Sequence, residues 1–327
     1  MGVHATVELY GCDDSYFCLS GTGAGNQNVV LGTNPQGLYD APVKVAMKRG
    51  AFEIGGKPSK VDRPYRELDL GLGAFSMETD EDKRAEEWAE VDSRLRGAFD
   101  YELDPWDPDA KPARLAITTA RSGTRWLDVL LMESPIMAMD TDPWDYAHSL
   151  LPVKLVAPQP MWYQDDWTGD EEHPAGWQLE GAASGSGEVW VCNPTDRPMA
   201  HSVIITGKGR AHIPDVSWTG PKGARVIGVD FRSGRDDSDR AIVTIPIGEV
   251  HGSGLRAQTD RMRIPWEDFT GTNVTGLFGG NRLLYVIPPY TPWTALPVAA
   301  SEVTSPKFGI LFRQPRLWSR PWGLERF

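Results

Sequence analysis

The side chains able to do chemistry are few and scattered. The six histidines stand singly at 4, 148, 173, 201, 212 and 251, and no H-E-x-x-H occurs. His201 and His212 are the pair that could face each other across strands, but a metal site also needs a third ligand and groups to orient the ligands. Cys12, Cys18 and Cys192 are an odd set with no C-x-x-C. They read as reduced, buried thiols of a protein made in a cytosol, with a Cys12–Cys18 bridge as the alternative. Ser184, Ser186 and Ser253 all lack the glycine two residues before that a nucleophile elbow requires. Asp237-Ser238-Asp239 opens like a calcium loop, yet Ile242 stands where the turn glycine belongs and Gly248 where the bidentate Glu belongs. Gly21 to Asn26 loses the G-x-G-x-x-G spacing at Asn26 and leads into no helix, so it reads as a loop and not a phosphate cradle. Asp165-Asp166 and Glu171-Glu172 are the carboxylate pairs a glycosidase would use, but they lie in a turn-rich stretch that holds no fixed geometry. The expectation is therefore no enzyme, no cofactor and no metal.

What remains is chemistry of contact. Arg316, Trp318, Arg320 and Trp322 alternate near the chain end, with Pro315 and Pro321 keeping the backbone extended. Trp and Arg together are what buried interfaces favour. Two uses stay open: the segment docks on a neighbouring subunit, or its tryptophans fold back onto their own chain.

The elements that position these residues are mostly strands. Alternation or short apolar runs predict strands at Val3–Leu9, Tyr16–Leu19, Val29–Leu31, Val43–Lys48, Ala51–Ile54 and Asp69–Ser76. One helix is expected from Asp80 to Phe99. Thr79 is its cap, Asp80, Glu81 and Asp82 sit in the favourable field of its first turn, and Ala85, Trp88, Val91, Leu95 and Phe99 form one apolar stripe. Leu115–Thr119 and Arg125–Leu131 read as a hairpin, and Leu151–Val156 as a further strand. Residues 1–160 thus form an α+β domain, antiparallel strands with one helix.

Pro158 to Trp162 changes the texture, and Gly181 to Gly187 reads as flexible, so 161–187 is expected to be a linker. Residues 188–310 are expected to be all β: Glu188–Cys192, Ser202–Thr206, Val216–Thr219, Ala224–Phe231, Ala241–Ile247, Arg261–Ile264 and Leu283–Ile287. Asn193 to Pro198 makes a rigid corner between the first two. Pro288 to Pro297 reads as a loop, and 311–327 as a Trp/Arg-rich tail.

Of 327 residues, 13 are Trp, 26 Pro and 34 Gly, a usage suited to strands, turns and large contact surfaces. The net charge of −12 argues against binding nucleic acid through its phosphates. The opening residues lack a basic start and an apolar core, so no signal peptide is expected, nor any membrane insertion.

Three segments carry a resemblance. Val191, Asn193, Thr195, Asp196, Ala200, Ile205 and Gly207 follow the order of V-x-N-x-G-D/T-x-x-A/P-x-P-x-I-x-I-x-G, without the glycine of the N-x-G-D form. Gly37 to Val43, GLYDAPV, is similar to a segment of tail-tip chains. Gln314 to Gly323 resembles the closing R-x-W-S/T-R-P-W-G of minor tail proteins from phages of actinobacteria. The chain resembles the distal tail proteins (Dit) of long flexible-tailed phages.

The resemblance implies that the sandwich of 188–310 is galectin-like. It also implies that residues 1–160 form a belt-like ring domain, that the ring is a homo-hexamer, and that it joins the tail tube to the host-adsorption apparatus in the virion. Implied partners are the tail tube protein, tail-tip hub proteins and a receptor-binding protein, with DNA passing through the channel unbound. A different class, a carbohydrate-binding sandwich contacting the host envelope, is the alternative; Trp218, Trp266, Tyr290 and Trp293 are the residues of the type its platform needs.

Overall fold

The computed structural model describes residues 5–136 and 141–326. Val3 of the first expected strand, Phe327 of the tail and the Asp82 side chain lie outside the described residues. The chain is mostly β. It divides into two units, 1–163 with 318–323, and 164–317 with 324–327.

The first unit contains β1 (Thr6–Tyr10), β2 (Tyr16–Ser20), β3 (Val29–Leu31), β4 (Lys44–Lys48), β5 (Lys57–Asp62) and β6 (Arg66–Phe75). These are followed by α1 (Glu81–Gly97), β7 (Ala113–Thr119), β8 (Gly123–Leu131), α2 (Pro143–Tyr146), β9 (His148–Ala157) and the start of β10 (Trp162–Trp167). Antiparallel pairing runs β3-β6-β9-β8-β7-β1-β2. Its centre is β6 on β9, where Leu68, Leu70 and Leu72 stand opposite Leu155, Val153 and Leu151. These residues are buried and alternate with exposed ones, so a slip of one residue would turn the whole apolar set outward.

The α1 stripe packs on this sheet, with Trp88, Val91, Leu95 and, just beyond the helix, Phe99 buried. The Trp88 indole donates to Ser149 Oγ at 3.1 Å and meets Trp144 edge-on at 5.8 Å. The helix begins one residue later than the cap at Thr79 predicts. Glu78 draws the N–H groups of Thr79 and Asp80 to its carboxylate, so Asp80 becomes the flanking residue and its carbonyl receives the Arg84 N–H.

The β4–β5 hairpin belongs to none of these pairings. Ala51–Ile54, expected as its second strand, is instead part of the connecting loop. There the Glu53 carboxylate accepts the Gly50 N–H and pairs with Lys57, and the returning strand starts only at Lys57.

The second unit holds β11 (Gly176–Glu180), β12 (Gly185–Asn193), β13 (Ser202–Thr206), β14 (Arg210–Pro214), β15 (Trp218–Thr219), β16 (Val226–Ile227) and β17 (Ala241–Val243). After these come β18 (Gly254–Gln258), β19 (Trp266–Asp268), β20 (Thr291–Ser301) and β21 (Lys307–Trp318). One sheet is β12-β20-β14-β17. The other has β13 between β18 and β21, with β19 beyond β18 and β11 beyond β21. Val189, Val191, Leu296, Val298 and Ile213 from the first share one core with Val203, Ile205, Leu255, Phe308, Ile310 and Phe312 from the second.

Several expectations for this part are corrected. Residues 161–187 are no open linker: they carry β10, β11 and the start of β12. Gly185 and Gly187 are strand residues because the Trp177 and Leu179 side chains lie on them. A Cβ on Gly187 would fall 2.1 Å from the Trp177 indole nitrogen, and one on Gly185 2.6 Å from Leu179. The expected loop Pro288–Pro297 holds most of β20. Pro297 is tolerated because β20 is paired there on one side only, with Glu188, and β14 joins its other edge from Ala299 onward. Arg261–Ile264 and Leu283–Ile287 form no strands. The buried carboxylate of Asp215 takes the N–H groups of Leu284 and Tyr285, replacing a strand partner. Ala224–Phe231 shrinks to β16, Ala241–Ile247 to β17 and Val216–Thr219 to β15. The tail expected from residue 311 begins inside β21, whose residues 309–313 pair with β13.

Trp88→Ala should lower the unfolding free energy by about 3–5 kcal/mol, because the cavity opens between α1, α2 and the sheet. Trp106→Ala, at a side chain 90% exposed, should change it by less than about 0.5 kcal/mol. Denaturant titration of both variants checks the contrast.

Candidate functional site

The chain end is organised by two buried arginines on strands of the first unit. Arg66, first residue of β6, and Arg125, on β8, are inward positions of their strands and are 1% and 0% exposed. Both guanidiniums lie on backbone carbonyls, which offset the cost of burying the charge. Arg66 donates to Pro160 O at 2.8 Å, to Gly37 O and Leu38 O at 2.9 and 3.0 Å, and to Ser319 O at 3.0 Å. Arg125 donates to Arg320 O at 2.8 Å and Gly323 O at 3.0 Å, with its guanidinium 3.7 Å above the Trp318 ring. Burial lowers the Arg66 pKa to about 10, which leaves it charged at neutral pH. The Ser122 hydroxyl accepts the Gly323 N–H, completing the strap of residues 318–323.

The four tail residues separate on this frame. Trp318 is buried beneath Arg125. Arg320 pairs with Asp40 at 2.6 Å and lies over Tyr39. Trp322 remains 38% exposed and leans on Tyr39 at 5.0 Å. Arg316 belongs to the second unit, over the Trp167 ring at 4.9 Å and close to Cys192, whose thiol burial pushes up to about 11. The GLYDAPV segment and the closing W-S-R-P-W-G, far apart in sequence, therefore meet.

The remaining chemical candidates are dispersed. His201 is buried with Phe312 stacked at 5.5 Å, whereas His212 meets Ser301 at 3.0 Å in the other sheet. Among the described residues no group of three or more His, Cys, Asp or Glu is gathered closely enough to hold a metal ion. The three cysteines are free thiols. Asp237 accepts the Tyr285 hydroxyl at 2.5 Å. Of the aromatic platform candidates, Trp266 stacks on Phe278 in the core, Trp218 and Tyr290 are buried, and Trp293 is stacked on His173 at 4.1 Å. An open concavity of about 790 Å³ lies over Ile204, Gly309 and Leu311. Trp177 borders it, but its indole lies against Gly187, so the floor offers no aromatic face.

Two surfaces that sequence reasoning did not single out stand free in the first unit. Every residue from Val43 to Arg63 is exposed, and Phe52 and Ile54 at the hairpin tip are completely so. Val45 stands opposite Val61 with nothing above either. The segment carries six basic side chains against Glu53 and Asp62. Between α1 and β7, Asp100 to Asp109 holds five acids and no base, around exposed Tyr101, Leu103 and Trp106. Asp104 and Asp107 brace it by accepting the N–H groups of Trp106 and Asp109 at 2.9 Å. The signals were present, as lysines interleaved with valines and a D-P-W-D-P-D run, but neither says what a strand or loop lies against.

No protein-family model matches the chain. It is 28% identical, over an alignment of 355 positions covering 98% of both chains, to a protein of Mycobacterium phage D29 described as minor tail protein Gp27. It is 27% identical, again over 98% of each, to the protein of the same description from Mycobacterium phage L5. Among solved structures it is similar to the Dit protein (gp 19.1) of phage SPP1, with TM-score 0.49 and 10% identity over 95% of this chain and 99% of that one. It is also similar to a chain of the phage P2 baseplate in its activated conformation, with TM-score 0.48 and 11% identity over 96% and 98%.

Two outcomes follow from this geometry. Arg125→Met strips the donors from two strap carbonyls and the cation from Trp318, and should cost about 2–4 kcal/mol in thermal unfolding. Arg125→Lys should recover only part of the loss, since an ammonium cannot span both carbonyls. His201 gives a pH dependence. Burial lowers its folded pKa to about 4 from an ordinary 6.5, and both ring nitrogens lack hydrogen bonds. The unfolded chain takes up a proton that the folded chain refuses, so stability is full above about pH 6.5 and falls by up to roughly 3 kcal/mol as pH drops toward 4. His201→Phe should flatten that slope in melts taken from pH 4 to 7.

Proposed function

We propose that this chain is a structural protein of a phage virion, a component of the tail tip, made in the host bacterium and acting without catalysis. The observation that carries the reading is the similarity to the two mycobacteriophage proteins described as minor tail proteins, which extends over 98% of each chain and skips no region large enough to be a separate domain. The aromatic residues a sugar platform would use are engaged within the chain, Trp266 on Phe278, Trp293 on His173, and Trp218 and Tyr290 buried, which favours the structural reading over the carbohydrate-binding module.

The finer reading is a hexameric ring that joins the tail tube to the adsorption apparatus. In it the α+β part, residues 1–160, forms the ring. Residues 161–187 lead outward to a galectin-like sandwich of 188–310, and 311–327 close the chain. Supporting the first assignment, the freely exposed hairpin and acidic loop both lie within residues 1–160. Supporting the second, two sheets share one apolar core across 189–312. Partners in this reading are copies of the chain, the tail tube protein, tip hub proteins and a receptor-binding protein. Trp322 and Arg320 are the tail residues proposed to face one of them, since Trp318 and Arg316 are spent within the chain. The acidic balance suits a conduit, because like charge lets DNA pass without adhering.

Gold-labelled antibody against the chain should decorate the tail end of intact particles, and light scattering of the purified protein should give about six monomer masses. Label on the capsid or absent from particles overturns the tail assignment; tail-end label with a monomeric purified protein overturns the self-assembled ring alone.

A further inference from the structure

A two-stranded hairpin with no third strand and no helix on its face is marginal in water. The β4–β5 hairpin is in that position: among the described residues no strand pairs with either outer edge, Val45 and Val61 face solvent together, and Phe52 and Ile54 are bare at the tip. Its charges add to the anomaly. Lys44, Lys48, Arg49, Lys57, Lys60 and Arg63 sit on a chain whose net charge is −12. Lys57 and Lys60 meet Glu53 and Asp62 within the hairpin, while Lys44, Lys48 and Arg63 have no carboxylate partner among the described residues. A basic, apolar-tipped projection calls for an acidic acceptor with exposed apolar side chains.

The same chain carries such an acceptor. The Asp100–Asp109 loop presents five carboxylates in ten residues, and none forms an ion pair among the described residues. Trp106 is 90% exposed, with Tyr101 and Leu103 half exposed beside it. Aspartate-braced turns and Pro105 and Pro108 keep the loop ordered, so little conformational freedom is lost on binding. Among the described residues no hydrogen bond or ion pair joins hairpin and loop within one chain.

Resting on the ring reading above, we infer that the hairpin of one copy docks on the Asp100–Asp109 loop of the next. Lys48, Arg49, Lys57 and Lys60 face the carboxylates while Phe52 and Ile54 lie against Trp106 and Leu103. The two patches differ, so the contact is head-to-tail, and it leaves a free hairpin at one end and a free loop at the other. Such contacts either grow into filaments or close into rings. Charge complementarity sets the order of the partners and makes association salt-sensitive.

Charge reversal in the full-length chain tests the pairing. Hairpin reversal (K48E, K60E) and loop reversal (E102K, D109K) alter exposed side chains that brace neither turn, so circular dichroism and melting should stay close to the parent. Each alone should weaken self-association at least tenfold in sedimentation, and at low salt the two reversals combined in one chain should restore it. As a second readout, oxidation of the F52C/W106C chain should yield covalently linked multimers. Loop reversal that leaves a parent-like assembly intact, or a double reversal that stays dissociated, overturns the hairpin-on-loop contact while the ring stands. A parent chain that remains monomeric at all salt concentrations overturns the ring reading itself and this contact with it.

Discussion

Two guanidiniums buried against backbone carbonyls set the main constraint on the first unit. Moving such a charge out of water is costly unless its donors are met, and here carbonyl oxygens meet all three nitrogens of Arg66 and the two terminal nitrogens of Arg125. Those carbonyls come from Gly37 and Leu38, from Pro160, and from Ser319, Arg320 and Gly323. Three stretches distant in sequence are thereby fixed at once: the loop after β3, the approach to β10 and the chain end. Arg is suited to this because its planar fork spreads several donors, where a lysine would offer one point charge. The exposed edge made by Tyr39, Arg320 and Trp322 exists only because the strap beneath it is pinned.

The second unit solves the same problem with neutral and acidic side chains. Asn193, fully buried, donates to Arg197 O, Ile287 O and Pro288 O and accepts from Thr195, so one amide stands in for the pairing that Asn193 to Pro198 cannot make. Gln314 bridges the two sheets through the Cys192 N–H and the Trp190 carbonyl. Asp215 organises 284–285 from beneath. His201 is one exception, buried with neither ring nitrogen hydrogen-bonded, and it is a place where stability depends on acid.

Against these closed cores, the hairpin and the acidic loop are the parts of the first unit left unresolved by intramolecular contact. They carry opposite charge, and both expose large apolar side chains. Charged projections with exposed large apolar side chains are the kind of surface on which contact with a partner is built.

Much of the architecture was legible in the residue order alone. Alternation or short apolar and β-branched runs point to β1, β2, β6, β7, β8, β9, β12 and β13, and the 3-and-4 spacing of Trp88, Val91 and Leu95 gives α1. The closing W-S-R-P-W-G and the N-P-T-D corner carry the family resemblance for the same reason: turn and contact residues are chemically distinctive. Only the tertiary structure decided where long-range partners overrule local signals. Glycines at 185 and 187 read as flexible until the Trp177 ring is seen covering them, and Pro297 reads as a loop until β20 is seen to be unpaired on one side there. Leu283–Ile287 reads as a strand until Asp215 takes its N–H groups. Trp318 and Arg316 have the composition of an interface, and the sequence left open whose interface; Arg125 and Trp167, distant along the chain, occupy them. Composition reports what a side chain is able to bind, and only the folded chain decides which partner reaches it first.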